Sequence, residues 1–192
     1  APGEADVLRL QDVPDPTITQ GRQLLVRLKA AGINPIDTKL RRRGFPDRMP
    51  AVLGCDGAGV VEQVGGEVKR FRTGDEVYFC NGGVGADPGN YAEYTVVDER
   101  FVARKPSSLS FIEAAAAPLV LITAWESLHD RASVRPGQRV LIHAGAGGAG
   151  HVAIQLAKLA GAKVCTTVGS QAKADFVTAL GADQPILYKE RD

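Results

Sequence analysis

Cysteine is scarce in this chain. Its three residues, Cys55, Cys80 and Cys165, are odd in number, widely spaced and outside any C-x-x-C arrangement. That pattern excludes a disulfide framework and a structural zinc knuckle, and it suits a reducing compartment, the cytoplasm. Each thiol reads as a small buried hydrophobe rather than a nucleophile, because no histidine partner is evident. Charge of one sign is also lacking. A formal net charge of +1 provides no general surface for a polyanion, so no nucleic-acid partner is expected, and Arg41-Arg42-Arg43 reads as a solvated helix end. Long apolar runs are missing too. The longest, Ala114 to Trp125, is too short to span a bilayer and is broken by Pro118. No basic leader with an apolar core opens the sequence, so no membrane partner is expected. What remains is ordinary for a globular protein: 192 residues, 44% apolar and 23% charged, enough to bury roughly 70% of the unfolded surface.

The most informative stretch that is present runs from His143 through Ala144, Gly145, Ala146, Gly147, Gly148, Ala149 and Gly150 to His151. It joins a β-type run, Arg139-Val140-Leu141-Ile142, to a helix-type run, Val152 to Ala160. Gly145, Gly147 and Gly150 satisfy G-x-G-x-x-G: the first permits a tight turn, the second admits a pyrophosphate against bare backbone, and the third lets helix and strand pack closely. The helix N-terminus then offers unpaired N–H groups to the phosphates. A lone match is weak in a chain with 22 glycines, but the context strengthens it. His151, Gln155 and Lys158 fall on one helical face, leaving Val152, Leu156, Leu159 and several alanines for a sheet. Gly161 stops the helix, and Lys163 to Val168 follows as the parallel partner strand of a βαβ unit.

A second absence bears on which dinucleotide binds. NAD sites carry Asp or Glu about 20 residues past the glycines, at the end of the second strand, to hold the ribose 2′-hydroxyl. Between Gly161 and Ala174 there is no carboxylate. Gly169, Ser170 and Lys173 instead place a hydroxyl and an ammonium where a 2′-phosphate would lie, which points to NADP(H). Ser170 also suits the N-cap of a helix from Gln171 to Leu180, and a cation in a first helical turn opposes the macrodipole unless an anion binds nearby.

The region 1–116 reads as short strands separated by Gly, Pro and Asp: Val7–Leu10, Gln23–Ala31, Gly59–Val64, Glu76–Phe79, Tyr91–Val97 and Phe101–Ala103, with a helical insertion at about Pro35 to Arg42. Ser110-Phe111-Ile112-Glu113 is a capping-box signature that opens alanine-rich helical sequence. The second domain, 117–192, holds strand 140–144, helix 148–160, strand 163–168, helix 170–180 and a strand near Ile186-Leu187-Tyr188. A doubly wound domain needs two βαβαβ halves, and one is present, so a truncated or partial chain is expected.

Four motifs in order carry a family resemblance: Ala31-Gly32-Ile33-Asn34-Pro35-Ile36-Asp37, Leu53 to Val61, Gly74-Asp75-Glu76-Val77 and the turn Ala144 to Gly150. The chain resembles the medium-chain dehydrogenase/reductase superfamily in its quinone oxidoreductase, zeta-crystallin-like, branch. The resemblance implies an α/β protein with a GroES-like β-barrel domain followed by a partial Rossmann domain, and an active site in the cleft between them. It also implies a homodimer through an edge strand beyond Asp192. The zinc alcohol dehydrogenases of the same superfamily carry a Cys where this chain has Asn34, Gly-His-Glu where it has Gly54-Cys55-Asp56, and a later Cys where Leu119 to Ile122 offers no ligand. No metal is therefore expected, since catalytic zinc needs three ligands.

Without a Lewis acid, the implied substrates are quinones or α,β-unsaturated carbonyls reduced by hydride from NADPH. The resemblance places Asn34 beside the nicotinamide with its amide toward a carbonyl, although an Asn before Pro35 also suits a plain turn. Asp37 is expected to cap the short helix. Thr123 matches a family threonine near the cofactor, and Tyr188 a tyrosine that reaches the adenosine phosphate with Ser170 and Lys173. Some relatives carry a substrate-binding tyrosine where this chain has Phe45, which leaves solvent, Tyr78 or Tyr91 as proton source. An enoyl-thioester reductase and a non-catalytic NADPH-binding structural protein are the alternatives.

Overall fold

Short strands divided by glycine and aspartate build an antiparallel sheet in the first part of the chain. The computed structural model describes residues 2–44, 51–82 and 88–190, which fall into two compact units, Ala1–Leu119 and Val120–Asp192. In the first unit, β1 (Gln23–Gly32), β2 (Asp56–Val64), β3 (Glu76–Cys80), β4 (Tyr94–Asp98) and β5 (Val102–Arg104) pair in the order β4-β1-β2-β3-β5. Every ladder is antiparallel. Residues two apart share a face, so Leu24 and Val26, Val77 and Phe79, and Val97 are buried with Val61, Phe71 and Val102 in one core. Each such side chain contributes about 1.5–3 kcal/mol when fully buried.

The expected strand Val7–Leu10 does not form. A 3-10 turn covers Ala5–Val7, and the extended residues after it have no ladder partner among the described residues, with Leu10 fully exposed. Apolar alternation marks a face, but a strand also needs a neighbour to take its hydrogen bonds. The last expected strand lies one residue later than the sequence suggests, and the strand expected from Gly59 begins at Asp56.

Helix α1 (Pro35–Arg43) has Asn34 at its N-cap, Pro35 in its first turn and Arg41, Arg42 and Arg43 in its last, where cations complement the helix dipole. The three arginines are not all solvated: Arg41 and Arg42 pair with Glu4. Helix α2 (Phe111–Ala115) opens on the expected capping box, in which Ser110 Oγ accepts the Glu113 N–H and Glu113 Oε2 accepts the Ser110 N–H. Pro118 then starts α3 (Pro118–Trp125), as its fixed φ allows at a first helical position. A π-helical turn, Glu126–Arg131, follows. Among the described residues no helix is long and apolar enough to cross a membrane.

The second unit has a parallel sheet, β6 (Arg139–Ile142), β7 (Lys163–Val168) and β8 (Gln184–Leu187), in the order β6-β7-β8. Helices α4 (Gly148–Leu159) and α5 (Gln171–Ala179) make the crossovers. Both helices end in a Schellman arrangement: Gly161 and Gly181 take positive φ, and the next N–H groups, of Ala162 and Ala182, reach back to Ala157 and Val177. The packed stripe of α4 differs from the expected one. Gly150, Ile154 and Ala157 are buried, whereas Leu159 is 84% exposed. Leu159 lies roughly half a turn round the helix from Gly150, and the contact is set by Gly150, Ile154 and Ala157 with Ala153 and Leu156 beside them.

Asp183 ties this unit together. It accepts the Val164 N–H at 2.6 Å and the Lys158 ammonium at 2.9 Å, and these bonds hold its carboxyl below the usual carboxylate range. A depressed folded pKa contributes stability above the unfolded value, about 3.9, and that contribution is lost as pH falls through the folded value. Between pH 6 and pH 3, urea unfolding should therefore lose more stability in the parent than in Asp183→Asn. Equal losses would refute this coupling.

Candidate functional site

Two clusters hold the chemistry, one in each unit. In the first, Asn34 leaves β1 in an extended conformation and caps α1. Its N–H donates to Asp37 Oδ2 at 2.7 Å, which gives Asp37 the helix-capping role expected of it. The Tyr91 hydroxyl donates to the same oxygen at 3.1 Å, and the Cys55 thiol to Oδ1 at 3.3 Å. The Asn34 Nδ2 donates to Asp56 Oδ2 at 2.9 Å. Asp56 Oδ1 accepts the Leu119 N–H at 3.0 Å, and Cys80 lies opposite Asp56 in the β2–β3 ladder. Asn34, Asp37 and Asp56 are all buried, Asp56 completely.

Gly54 makes room for this cluster. Its φ is +102°, and a Cβ there would meet the Tyr91 ring at 2.5 Å. Burial pushes the Asp56 carboxyl up, and the hydrogen bonds from Asn34 and Leu119, with the Cys80 thiol nearby, oppose that shift. Burial, with Asp56 beside it, pushes the Cys80 thiol up to about 12. Burial also raises the Cys55 thiol and the Tyr91 phenol, with Asp37 adding to both. All three therefore keep their protons near neutral pH, so neither thiol is a thiolate nucleophile.

The second cluster is the glycine turn between β6 and α4. A Cβ on Gly145 would lie 2.0 Å from Thr166 Oγ1, and one on Gly150 would lie 2.3 Å from the Ala144 carbonyl oxygen. Thr166 itself donates to the Ile142 carbonyl at 2.6 Å. Thr167 Oγ1 accepts the Ala144 N–H at 3.0 Å, and Ala144 sits at φ +53°. Ala146 packs against the core of the unit. The N–H groups of Gly148, Ala149 and Gly150 open α4 and lack intrahelical acceptors. An anion is favoured at that position.

At the end of β7, Gly169 lies under the Tyr188 hydroxyl, 3.0 Å from where a Cβ would stand. Ser170 occupies the N-cap of α5, yet its side chain makes no capping hydrogen bond. Lys173 is exposed in the first turn of α5, and no ion pair or hydrogen bond engages it among the described residues. Gly169, Ser170 and Lys173 thus lie together at the start of α5, whose first turn holds no acidic residue, and the Tyr188 hydroxyl stands over Gly169. Thr123 is exposed on α3, and its carbonyl accepts the Ser127 hydroxyl. Tyr78 lies in β3 beside Ala58, and Phe45 lies outside the described residues. Residue patterns alone did not single out Asp56, Thr166 or Thr167. For the threonines one signal was available, two adjacent hydroxyls closing a strand that otherwise favours valine.

A family model described as the alcohol dehydrogenase GroES-like domain matches residues 20–107. The chain is 42% identical to the 2-methylene-furan-3-one reductase of Solanum lycopersicum, over 99% of this chain and 51% of that protein. Among solved structures it is similar to the quinone oxidoreductase of Coxiella burnetii, with a TM-score of 0.89 and 41% identity over 100% of this chain and 61% of that one. It is also similar to the Escherichia coli quinone oxidoreductase complexed with NADPH, with a TM-score of 0.86 and 35% identity over 100% and 58% of the two chains. The chain spans about half the length of the curated relatives it matches. With an antiparallel GroES-like unit, a parallel βαβ unit entered through its glycine turn, and likenesses of this depth along its whole length, the chain belongs to the medium-chain dehydrogenase/reductase superfamily, among its quinone-oxidoreductase-like members.

Proposed function

We propose that this chain takes part in NADPH-dependent reduction of quinones or α,β-unsaturated carbonyls without zinc, in a reducing compartment such as the cytoplasm. The observation that carries the reading is the acid-free start of α5 at Gly169, Ser170 and Lys173, with the Tyr188 hydroxyl over Gly169. An unpaired ammonium and an uncapped serine hydroxyl in an acid-free first helical turn fit a 2′-phosphate and not a bare ribose 2′-hydroxyl. The glycine turn fits the pyrophosphate, because close packing at Gly145 and Gly150 fixes its shape while Gly147, where a Cβ would meet only the Ala144 carbonyl oxygen at 3.1 Å, offers bare backbone.

When bound, NADPH supplies a hydride to an electrophilic carbon. The chain's part is to hold the dinucleotide at the α4 N-terminus, to present Asn34 to the substrate oxygen, and to keep Asp37 and Asp56 as fixed acceptors behind it. For zinc, the donors are inadequate: no group of three His, Cys, Asp or Glu among the described residues is placed to hold a metal ion.

NADPH oxidation followed with 1,4-benzoquinone, 9,10-phenanthrenequinone, a simple enone and crotonyl thioester tests the reading. Turnover of the quinones or the enone is expected. Turnover of the thioester alone would make the protein an enoyl-thioester reductase. Binding of NADPH with no turnover would leave a structural role, and stoichiometric zinc would overturn the metal-free site.

A further inference from the structure

Asp56 is completely buried, and no lysine, arginine or histidine pairs with it among the described residues. A buried carboxylate without a cation is a liability for stability. Two donors converge on it instead, the Asn34 side-chain amide and the Leu119 N–H, with Cys80 opposite it in the β2–β3 ladder. The Leu119 N–H belongs to the first turn of α3, where such groups lack intrahelical acceptors and where a negative charge is favoured.

We infer that Asp56 is a positioning residue, which holds the Asn34 carboxamide in one of its two orientations and anchors the first turn of α3. The inference rests on the proposed role of Asn34 in reduction. The two ends of a carboxamide have nearly the same shape, and only the hydrogen-bond partner decides between them. An ionised carboxylate accepts and never donates, so it holds one N–H of the Asn34 amide and thereby sets where the second N–H, the donor to the substrate oxygen, points. Asparagine at position 56 would keep its oxygen on the Leu119 N–H and turn its own NH2 toward Asn34. Asn34 would then have to turn over to meet it.

The test uses Asp56→Asn, Asn34→Asp and the double exchange in the full chain. Asp56→Asn should lower kcat with 1,4-benzoquinone about tenfold with little change in KM, and it should move the side-chain amide resonances of Asn34 in a protein carrying 15N-asparagine. Asn34→Asp sets two carboxylates face to face and should lower Tm; the double exchange restores an amide-to-carboxylate bond and should recover Tm while kcat stays low. An unchanged kcat in Asp56→Asn, unmoved Asn34 resonances, or recovery of kcat in the double exchange would each overturn the inference. If the parent reduces none of the four acceptors, the proposed function fails on its own, and the Asn34 resonances alone decide the orientation. Should Asp56→Asn fail to fold, the Tm and kcat of the double exchange still decide, with Tm recovered and kcat low as the expected result.

Discussion

Gly150→Ala should weaken NADPH binding about thirtyfold, the equivalent of roughly 2 kcal/mol of overpacking. The added Cβ would stand 2.3 Å from the Ala144 carbonyl oxygen and 2.9 Å from the Gly145 Cα. Both are backbone atoms, so no flexible side chain can give way. Either α4 lifts from β6 or the glycine turn opens, and each displaces the N–H groups that face the pyrophosphate. Gly66→Ala serves as the control, because a Cβ there meets nothing within 4 Å. Fluorescence titration with NADPH reads the result; matching affinities in the parent and Gly150→Ala would defeat this account of the turn.

Removal of the Lys173 ammonium should cost NADPH ten- to a hundredfold in affinity, the range of about 1.5–3 kcal/mol for a hydrogen bond to a charged group. NADH, without the 2′-phosphate, should be unaffected. The expected result is thus a narrowed ratio between the two cofactors in Lys173→Ala, with Lys173→Arg keeping most of it. Equal affinities in the parent would refute the assignment of NADPH, and an equal loss for both cofactors would assign Lys173 a structural role instead.

How much of this was legible in the sequence depended on the range of the interaction concerned. The boundaries of β7 matched the sequence reading because Gly161 ends the preceding helix and the β-forming run begins beside it. The capping box at Ser110 was equally local. Val7–Leu10 misled because its apolar pattern is local while a strand's existence is not. Leu159 misled for another reason: it is apolar but lies half a turn from the buried stripe of Gly150, Ile154 and Ala157.

In the candidate site, the glycine turn was plain from its order, but its threonine supports were not, since Thr167 meets Ala144 across 23 positions. In the sequence Asp56 stands out only within Gly54-Cys55-Asp56, where the zinc relatives carry Gly-His-Glu. Its working partners, Asn34 and Leu119, are 22 and 63 positions away, and no spacing rule joins such residues. The same holds for the Tyr91 hydroxyl on Asp37, separated by 54.

The threonine clamp on the glycine turn also bears on what binding costs. Thr167 holds the Ala144 N–H, the Thr167 carbonyl accepts the Gly145 N–H at 3.1 Å, and the Ala144 carbonyl accepts the Gly147 N–H at 2.8 Å. These bonds keep a non-glycine residue in a left-handed conformation that costs of order 1–3 kcal/mol. The neighbouring strand bears that cost before any ligand arrives. A diphosphate bound as proposed would therefore meet a turn already set, with little of its interaction energy spent on ordering a loop.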